Sequence, residues 1–159
     1  MSNSISFTRN LVKGRIAETI FAQMFRDNED YTVLDFGYEK VVPQLVGQNY
    51  NHSNPVIESL RVAPDFAVIN KDTKEVRLIE VKYQYKIDKY RILDYARIMH
   101  ASWNPSYLFI ATLDGFYFDE INKIIQKDGA ISELKEISSE TQSNYLQILK
   151  DFENQQSSA

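Results

Sequence analysis

Residues 63–82 read APDFAVI-NKDTKE-VRLIEVK, two short apolar runs separated by a polar break. Both runs contain β-branched residues, which is typical of strands, and the polar break is typical of a tight turn. The segment therefore predicts a β-hairpin. Because side chains alternate between the faces of a strand, Glu80 and Lys82 are expected on one face, and Ile79 and Val81 on the other.

The predicted hairpin would bring two carboxylates close together. Asp65 opens the first strand directly after Pro64, and Glu80 lies within the second strand. Two carboxylates crowded at one place repel each other unless a cation lies between them. Lys82 would supply one positive charge there, and a divalent metal ion would supply more.

The string Pro64-Asp65, followed after a spacer by Glu80-Val81-Lys82, resembles the motif of the PD-(D/E)XK nuclease superfamily. This superfamily includes many restriction enzymes, archaeal-type Holliday junction resolvases and RecB-like nucleases. The resemblance implies an α/β fold of the restriction endonuclease-like type, with an αβββαβ core in which helices flank a mixed central sheet. It also implies an enzyme, a magnesium-dependent endonuclease that hydrolyses phosphodiester bonds in DNA, with RNA left open as the substrate.

The resemblance further implies a role for each residue around the predicted hairpin. Asp65, Glu80 and the main-chain carbonyl of Val81 would bind Mg²⁺ or Mn²⁺ through oxygen ligands. Lys82 would orient or deprotonate the attacking water, or hold the developing negative charge. Gln84, farther along the same face of the strand, would contact the scissile phosphate.

A helix before the hairpin adds another carboxylate. Periodicity predicts this helix from Thr8 or Asn10 to about Asp27. At about 100° per residue, Glu18 falls on its apolar stripe, where a carboxylate is costly unless it is paired or bound to a metal. Gly14, one turn earlier, leaves room for another group to approach. Many PD-(D/E)XK nucleases carry a glutamate that faces the active site in their first helix, and the resemblance implies that catalytic and metal-shell role for Glu18.

A basic and aromatic stretch follows the predicted site. From Lys82 to Arg97 there are five bases and two acids. Basic and aromatic groups together suit a groove that follows a phosphate backbone, although they equally suit a solvated helix face with buried tyrosines. The residues predicted to bind nucleic acid are Lys86, Lys89, Arg91, Arg97 and Tyr85. RecB-like nucleases carry Gln-x-x-x-Tyr on this helix, whereas this chain has Arg91 four residues before Tyr95, a departure from the RecB-like pattern.

The remaining segments complete one predicted domain over 1–159. They comprise a first strand at 31–36, an irregular excursion at 37–62 that contains His52, a helix at 88–101, a buried strand at 106–112, an edge extension at 116–118, helices at 120–127 and 138–153, and a disordered end at 155–159. The order helix, strand, strand, strand, helix, strand matches the implied core, at about 8–113. An acidic C-terminal helical extension follows it, at about 118–153.

The composition is that of an ordinary globular protein, since 43% of the 159 residues are hydrophobic and 25% are charged. There are no cysteines and only two histidines, so any metal would be held mainly by oxygen, which favours Mg²⁺ or Mn²⁺. The net charge of −4 does not indicate a nucleic-acid binder. However, residues 119–159 carry 8 acids and 4 bases, so the first 118 residues carry 14 of each and are neutral.

No apolar run is long enough to span a membrane and no signal peptide is visible, so the sequence predicts a cytoplasmic protein without a membrane partner. Three functions remain open: a structure-selective nuclease of the resolvase or repair type, a restriction or mobile-element endonuclease, and a non-catalytic module that binds nucleic acid or protein. A resolvase-like role would imply a homodimer, because a four-way junction has two-fold symmetry. The nuclease is favoured, since a pure nucleic-acid binder has no need of Asp65 and Glu80, which repel phosphate.

Overall fold

The computed structural model describes residues 2–37 and 55–157. Most of the predicted excursion at 37–62, including His52, lies outside these residues. The helices are α1 (Ser2–Arg26), α2 (Pro55–Arg61), α3 (Lys89–Ser102), α4 (Ile121–Gln126) and α5 (Ser139–Ser157), and the strands are β1 (Tyr31–Asp35), β2 (Phe66–Asn70), β3 (Val76–Tyr83), β4 (Tyr107–Thr112) and β5 (Gly115–Glu120). Among the described helices, none is both long and apolar enough to cross a lipid bilayer.

The described strands form a five-stranded sheet in the order β1-β2-β3-β4-β5. The pairs β1/β2, β2/β3 and β4/β5 are antiparallel, whereas β3 and β4 are parallel and are connected through α3. A parallel pair needs such a crossover, because a tight turn can join only antiparallel strands. The α/β class with a mixed sheet, expected from the sequence, is confirmed.

The predicted hairpin forms β2 and β3, which pair with Phe66 opposite Ile79. In the polar break between them, the Asn70 side chain accepts hydrogen bonds from two backbone N–H groups of the turn, at 2.9 and 3.0 Å. Lys74 has a φ of 63°, the left-handed conformation that returns the chain toward β3. Local turn chemistry therefore sets the register of the two strands that carry the candidate site.

Helices cover both faces of the sheet. α1 and α5 pack on one face, in a core cluster that includes Ile79 of β3, while α3 and α4 pack on the other face. Leu108 and Ile110 of β4 belong to the second cluster, and the parallel register sets them beside Glu80 and Lys82 respectively. Glu80 and Lys82 therefore lie on the α3 face of the sheet, opposite to Ile79, as the alternation predicted.

α1 is longer at its start than the sequence predicted. It begins at Ser2 rather than at Thr8 or Asn10. The Thr8 hydroxyl donates a hydrogen bond to the Ser4 carbonyl at 2.8 Å, so Thr8 lies inside the helix and does not cap its start. The predicted apolar face is confirmed in the later turns, where the buried residues are Ala17, Ile20, Phe21, Met24 and Phe25.

α5 is longer at its end than predicted, since it continues to Ser157 where disorder was expected from 155 onward. Leu149 is fully buried in the middle of the helix. Farther along, Glu153 pairs with Lys13 of α1, with 3.0 Å between the carboxylate oxygen and the ammonium nitrogen. Tertiary contacts with α1 thus extend a helix whose last residues have a polar, loop-like composition.

The packing of Phe21 predicts a large loss of stability on truncation. Its ring centroid lies 4.6, 5.1 and 5.0 Å from those of Phe25, Phe66 and Phe109. Phe21→Ala is expected to lower the free energy of unfolding by about 3–5 kcal/mol, because it leaves a cavity between α1 and the sheet. Urea unfolding followed by circular dichroism measures the change.

Phe7→Ala is the matched control for this substitution. Phe7 lies on the same helix but its side chain is 70% exposed, whereas Phe21 is 0% exposed. The control should change the free energy of unfolding by less than about 0.5 kcal/mol. Equal losses in the two variants would contradict the described packing of α1 on the sheet.

Candidate active site

A cleft of about 1190 Å³ opens beside the carboxyl end of β3, where α1, the segment leading into β2 and the start of α3 meet. Of the residues that the sequence assigned to the site, those lining the cleft are Glu18, Asp65, Glu80, Val81, Lys82, Gln84, Tyr85, Lys86 and Arg91. Lys89 and Arg97 are exposed on α3 and are not part of this lining. Residues from four separate segments of the chain thus meet at one concave surface.

Asp65 lies at the point where β2 and β3 separate. The pairing of the two strands reaches Phe66 and Ile79, so Asp65 stands just before the first residue of β2. Its Oδ2 accepts a hydrogen bond from the Val81 backbone N–H at 2.9 Å, in the place of a strand partner. Because the N–H and C=O of one strand residue point to the same side, the Val81 carbonyl is directed toward this opening as well.

The backbone of Asp65 is held from the β1 side. The Phe36 N–H donates to the Asp65 carbonyl at 2.9 Å. Gly37 follows with a φ of 71°, a left-handed conformation that favours glycine, and lies close to the Asp65 backbone. The Asp65 backbone is therefore held from the β1 side and its carboxylate from the β3 side.

Glu80 and Lys82 form an ion pair on the α3 face of β3, with 3.3 Å between the carboxylate oxygen and the ammonium nitrogen. The Glu80 side chain is 15% exposed and the Lys82 side chain 38% exposed, so the pair is reached only from the cleft. α3 adds a further contact, since the Lys82 nitrogen lies 5.0 Å from the centre of the Tyr95 ring. That distance is within the range of a cation–π interaction.

Burial and the neighbouring Asp65 carboxylate raise the pKa of Glu80 from 4.5 to about 8, because both disfavour its charged form. Lys82 acts in the opposite direction without cancelling the effect. A hydrogen bond between Glu80 and Asp65 also raises the pKa of Glu80, since it favours the protonated carboxyl. A cation bound between them would take the place of that proton.

The pKa of Lys82 is raised even though the side chain is largely buried. Burial alone lowers it, but attraction and hydrogen bonding to Glu80, together with the charge of Asp65, outweigh that effect. Lys82 is therefore an ammonium ion at neutral pH. The sequence left three roles open for Lys82. Its ammonium state favours holding negative charge or orienting water, rather than removing a proton from water.

The donor atoms at the end of β3 fit a hard divalent cation. Asp65 and Glu80 contribute carboxylate oxygens and Val81 a carbonyl oxygen, which are ligand types that Mg²⁺ and Mn²⁺ prefer. Burial first, and then the charge of Asp65, raise the pKa of Glu80, and a cation bound beside the two carboxylates would favour the charged form instead. Within residues 2–37 and 55–157, no three His, Cys, Asp or Glu side chains are grouped so as to hold a metal ion, so Glu18 lines the cleft without completing a three-carboxylate group.

Gln84, predicted to contact phosphate, is engaged in the loop between β3 and α3. Its side chain is buried and bonds the main chain of Asp88 in both directions: Oε1 accepts from the N–H at 2.9 Å, and Nε2 donates to the carbonyl at 3.4 Å. The Asp88 carboxylate in turn caps α3 by accepting from the Arg91 N–H at 3.2 Å. The Gln84 amide thus fixes the shape of the loop at 84–88.

The sequence did not assign a role to three bases of the cleft, namely Lys13, Arg15 and Arg61. Six bases line the cleft, namely Lys13, Arg15, Arg61, Lys82, Lys86 and Arg91, against the four acids Glu18, Asp65, Glu80 and Asp88. The lining therefore holds two more bases than acids, and two of the bases pair with acids outside it, Lys13 with Glu153 and Arg61 with Glu58. Helical spacing could have identified the α1 bases, since the turn before Glu18 borders the same space. Arg61 precedes the Pro64-Asp65 string by a few residues, but no periodic pattern marks it.

In comparisons with known proteins, no family model matches the chain, and no curated protein matches it.

The raised pKa of Glu80 predicts that the folded state becomes less stable as pH rises. In the unfolded chain Glu80 loses its proton near 4.5, whereas in the folded chain it keeps the proton up to about 8. Between these pH values the folded state binds more protons, so the free energy of unfolding from this group falls with rising pH. Glu80→Gln removes the contribution, and the variant should gain stability relative to wild type across this range, as measured by urea unfolding in the presence of a chelator.

Glu29→Gln serves as the control, because it removes one carboxylate from an exposed position after α1. Its stability should follow the wild-type curve at every pH. A Glu80→Gln curve that also runs parallel to wild type would show that folding does not raise the pKa of Glu80.

Proposed function

We propose that this chain is a metal-dependent nuclease that hydrolyses phosphodiester bonds in DNA, with the restriction endonuclease-like fold of the PD-(D/E)XK superfamily. The observation that carries the proposal is the meeting of Asp65, Glu80 and Lys82 at the end of β3, in a cleft lined by six bases and four acids. The order α1-β1-β2-β3-α3-β4, with β3 parallel to β4, supports the same proposal, since it is compatible with an αβββαβ core.

The charges around the cleft suit a polyanionic substrate. Arg61 lies at the end of α2, while Lys86 and Arg91 lie in the loop and first turn of α3, so the bases come from separate elements that border the same space. A cleft with one prevailing sign of charge concentrates a ligand of the opposite sign. We expect a phosphate backbone to lie along these bases, with one phosphate at the Asp65, Glu80 and Lys82 group.

Asp65, Glu80 and the Val81 carbonyl are the groups that would hold a Mg²⁺ or Mn²⁺ ion, with Glu18 farther along the cleft wall. When bound, such an ion polarises a phosphoryl oxygen and makes the phosphorus more open to attack. Two carboxylates without a cation would repel a phosphate, so a metal role accounts for their place in a cleft whose other charges attract one.

Hydrolysis adds water across one P–O bond. The water oxygen forms a bond to phosphorus, the bond to one sugar oxygen breaks with its electron pair staying on that oxygen, and the proton lost by the water is balanced by one gained by the leaving oxygen from solvent. Lys82 enters as an ammonium ion beside the Tyr95 ring and stabilises the negative charge that grows on the phosphate oxygens. The products are one strand ending in phosphate and one ending in hydroxyl.

The proposal predicts Mg²⁺- or Mn²⁺-dependent cleavage that requires the charges of Asp65 and Lys82. Asp65→Asn keeps an oxygen that can accept from the Val81 N–H but removes the negative charge, and Lys82→Ala removes the ammonium group. Each substitution is expected to reduce the cleavage rate by at least about 100-fold. The assay compares linear duplex, single-stranded, flapped and four-way-junction DNA, and RNA, in either metal and in chelator.

Lys135→Ala is the matched control for loss of a lysine, because Lys135 is exposed and does not line the cleft. It should cleave at the wild-type rate, and thermal melting should show that all variants are folded. If folded wild-type protein binds DNA but cleaves no substrate in either metal, the enzymatic proposal is wrong and a non-catalytic binding module replaces it.

A further inference from the structure

Two tyrosine rings stand exposed at the junction of β3 and α3. Tyr85 is 60% exposed and Tyr90 is 86% exposed. Each ring offers a large apolar face with a polar tip, a combination that is enriched where proteins contact their partners. A single exposed ring is common on protein surfaces, so the evidence for a binding role of Tyr85 and Tyr90 depends on the residues around them.

Both rings lie on surface that adjoins the candidate site. Tyr85 lines the cleft together with Lys86 and Asp88. A shallow, open patch is lined by Lys86, Ile87, Asp88, Lys89 and Tyr90. The two linings share Lys86 and Asp88, so the patch that carries Tyr90 adjoins the cleft that Tyr85 lines.

The segment that carries the rings is held in one shape before any ligand binds. The buried Gln84 side chain bonds both main-chain groups of Asp88, and the Gln84 N–H donates to the Ala111 carbonyl of β4 at 2.9 Å. Asp88 caps the first turn of α3, which carries Tyr90. A fixed backbone lowers the conformational entropy that is lost when the rings bind a ligand.

Two lysines accompany the rings on this segment. Lys86 and Lys89 lie between Tyr85 and Tyr90 in the sequence, and all four residues are exposed. A nucleic-acid strand with unpaired bases presents the complementary groups, since it carries both charged phosphates and flat bases that stack on aromatic rings. In a duplex the base faces are hidden by stacking on their neighbours, so a duplex offers these rings nothing to stack on.

We propose that Tyr85 and Tyr90 form a stacking platform for unpaired bases, and that the substrate carries a single-stranded segment which leaves the site over the loop at 84–88. The proposal rests on the proposed nuclease function and narrows its substrate class to nucleic acid with a flap, a gap or a free single strand. Lys86 and Lys89 hold the phosphates of that segment.

The test measures binding in chelator, where hydrolysis is prevented, to a fluorescein-labelled oligothymidylate and to a blunt duplex of equal length. Tyr85→Ala and Tyr90→Ala are each expected to weaken binding of the single strand by about 5- to 150-fold and to leave binding of the duplex unchanged. Tyr85→Phe and Tyr90→Phe keep the ring and should bind the single strand as wild type does. Ile148→Ala, an exposed apolar residue of α5, controls for the loss of apolar surface elsewhere.

A second readout reports stacking directly. An oligonucleotide that carries 2-aminopurine should lose fluorescence when the wild-type protein binds it, because the base stacks on a tyrosine ring. The quenching should persist in the phenylalanine variants and disappear in the alanine variants. Lys89→Ala should weaken binding of both ligands and make that binding less dependent on salt, because single strand and duplex both carry phosphates that a lysine can contact.

Several results would overturn the stacking platform. The platform is wrong if the alanine substitutions weaken binding of single strand and duplex equally, or if the alanine variants bind the single strand as wild type does. It is also wrong if quenching survives in both alanine variants. Self-association of the wild-type protein that the alanine substitutions abolish would assign the rings to a protein interface instead. If the alanine variants bind normally while wild type still cleaves DNA, the stacking platform is wrong and the proposed nuclease function is retained. If folded wild type neither binds nor cleaves any nucleic acid, both the platform and the nuclease function are wrong.

Discussion

Repulsion between the Asp65 and Glu80 carboxylates is the constraint on which the site depends. The hairpin register brings them together, the Val81 N–H holds one of them in place, and burial prevents water from screening their charges. The folded chain reduces this repulsion by keeping a proton on Glu80 and the Lys82 ammonium ion beside the two carboxyl groups. This electrostatic arrangement supports the divalent cation and the phosphate backbone that we propose as the ligands of the cleft.

Local patterns in the sequence predicted the elements that build this arrangement. Alternation in 76–82 gave the correct faces for Glu80 and Lys82, and the polar break at 70–75 gave the hairpin, because both depend on neighbouring residues alone. The contact between Lys82 and Tyr95 joins a strand to a helix that follows it, and the ion pair between Lys13 and Glu153 joins the two ends of the chain. Such contacts depend on tertiary packing, which no local period encodes.

Gln84 shows the limit of assigning a role from position alone. The sequence placed it on the same strand face as Glu80 and Lys82, so the motif suggested contact with substrate, yet β3 ends at Tyr83 and the Gln84 amide hydrogen-bonds to the main chain of Asp88. Its effect on the site is indirect, since it sets the loop that carries Tyr85 and Lys86 along the cleft. Tertiary contact likewise bears on the end of α5, where the ion pair of Glu153 with Lys13 precedes a segment that the sequence predicted to be disordered.

We propose that Asp65 and Glu80 together bind a divalent cation. Calorimetric titration of Mn²⁺ into the chelator-free protein near neutral pH, in two buffers of different protonation enthalpy, tests it most directly. We expect Mn²⁺ binding to release protons, because Glu80 must lose its proton when the metal binds. The binding should be lost in Asp65→Asn and in Glu80→Gln and retained in Glu29→Gln. Absence of binding by folded wild-type protein, or binding of equal affinity in all three variants, would contradict it.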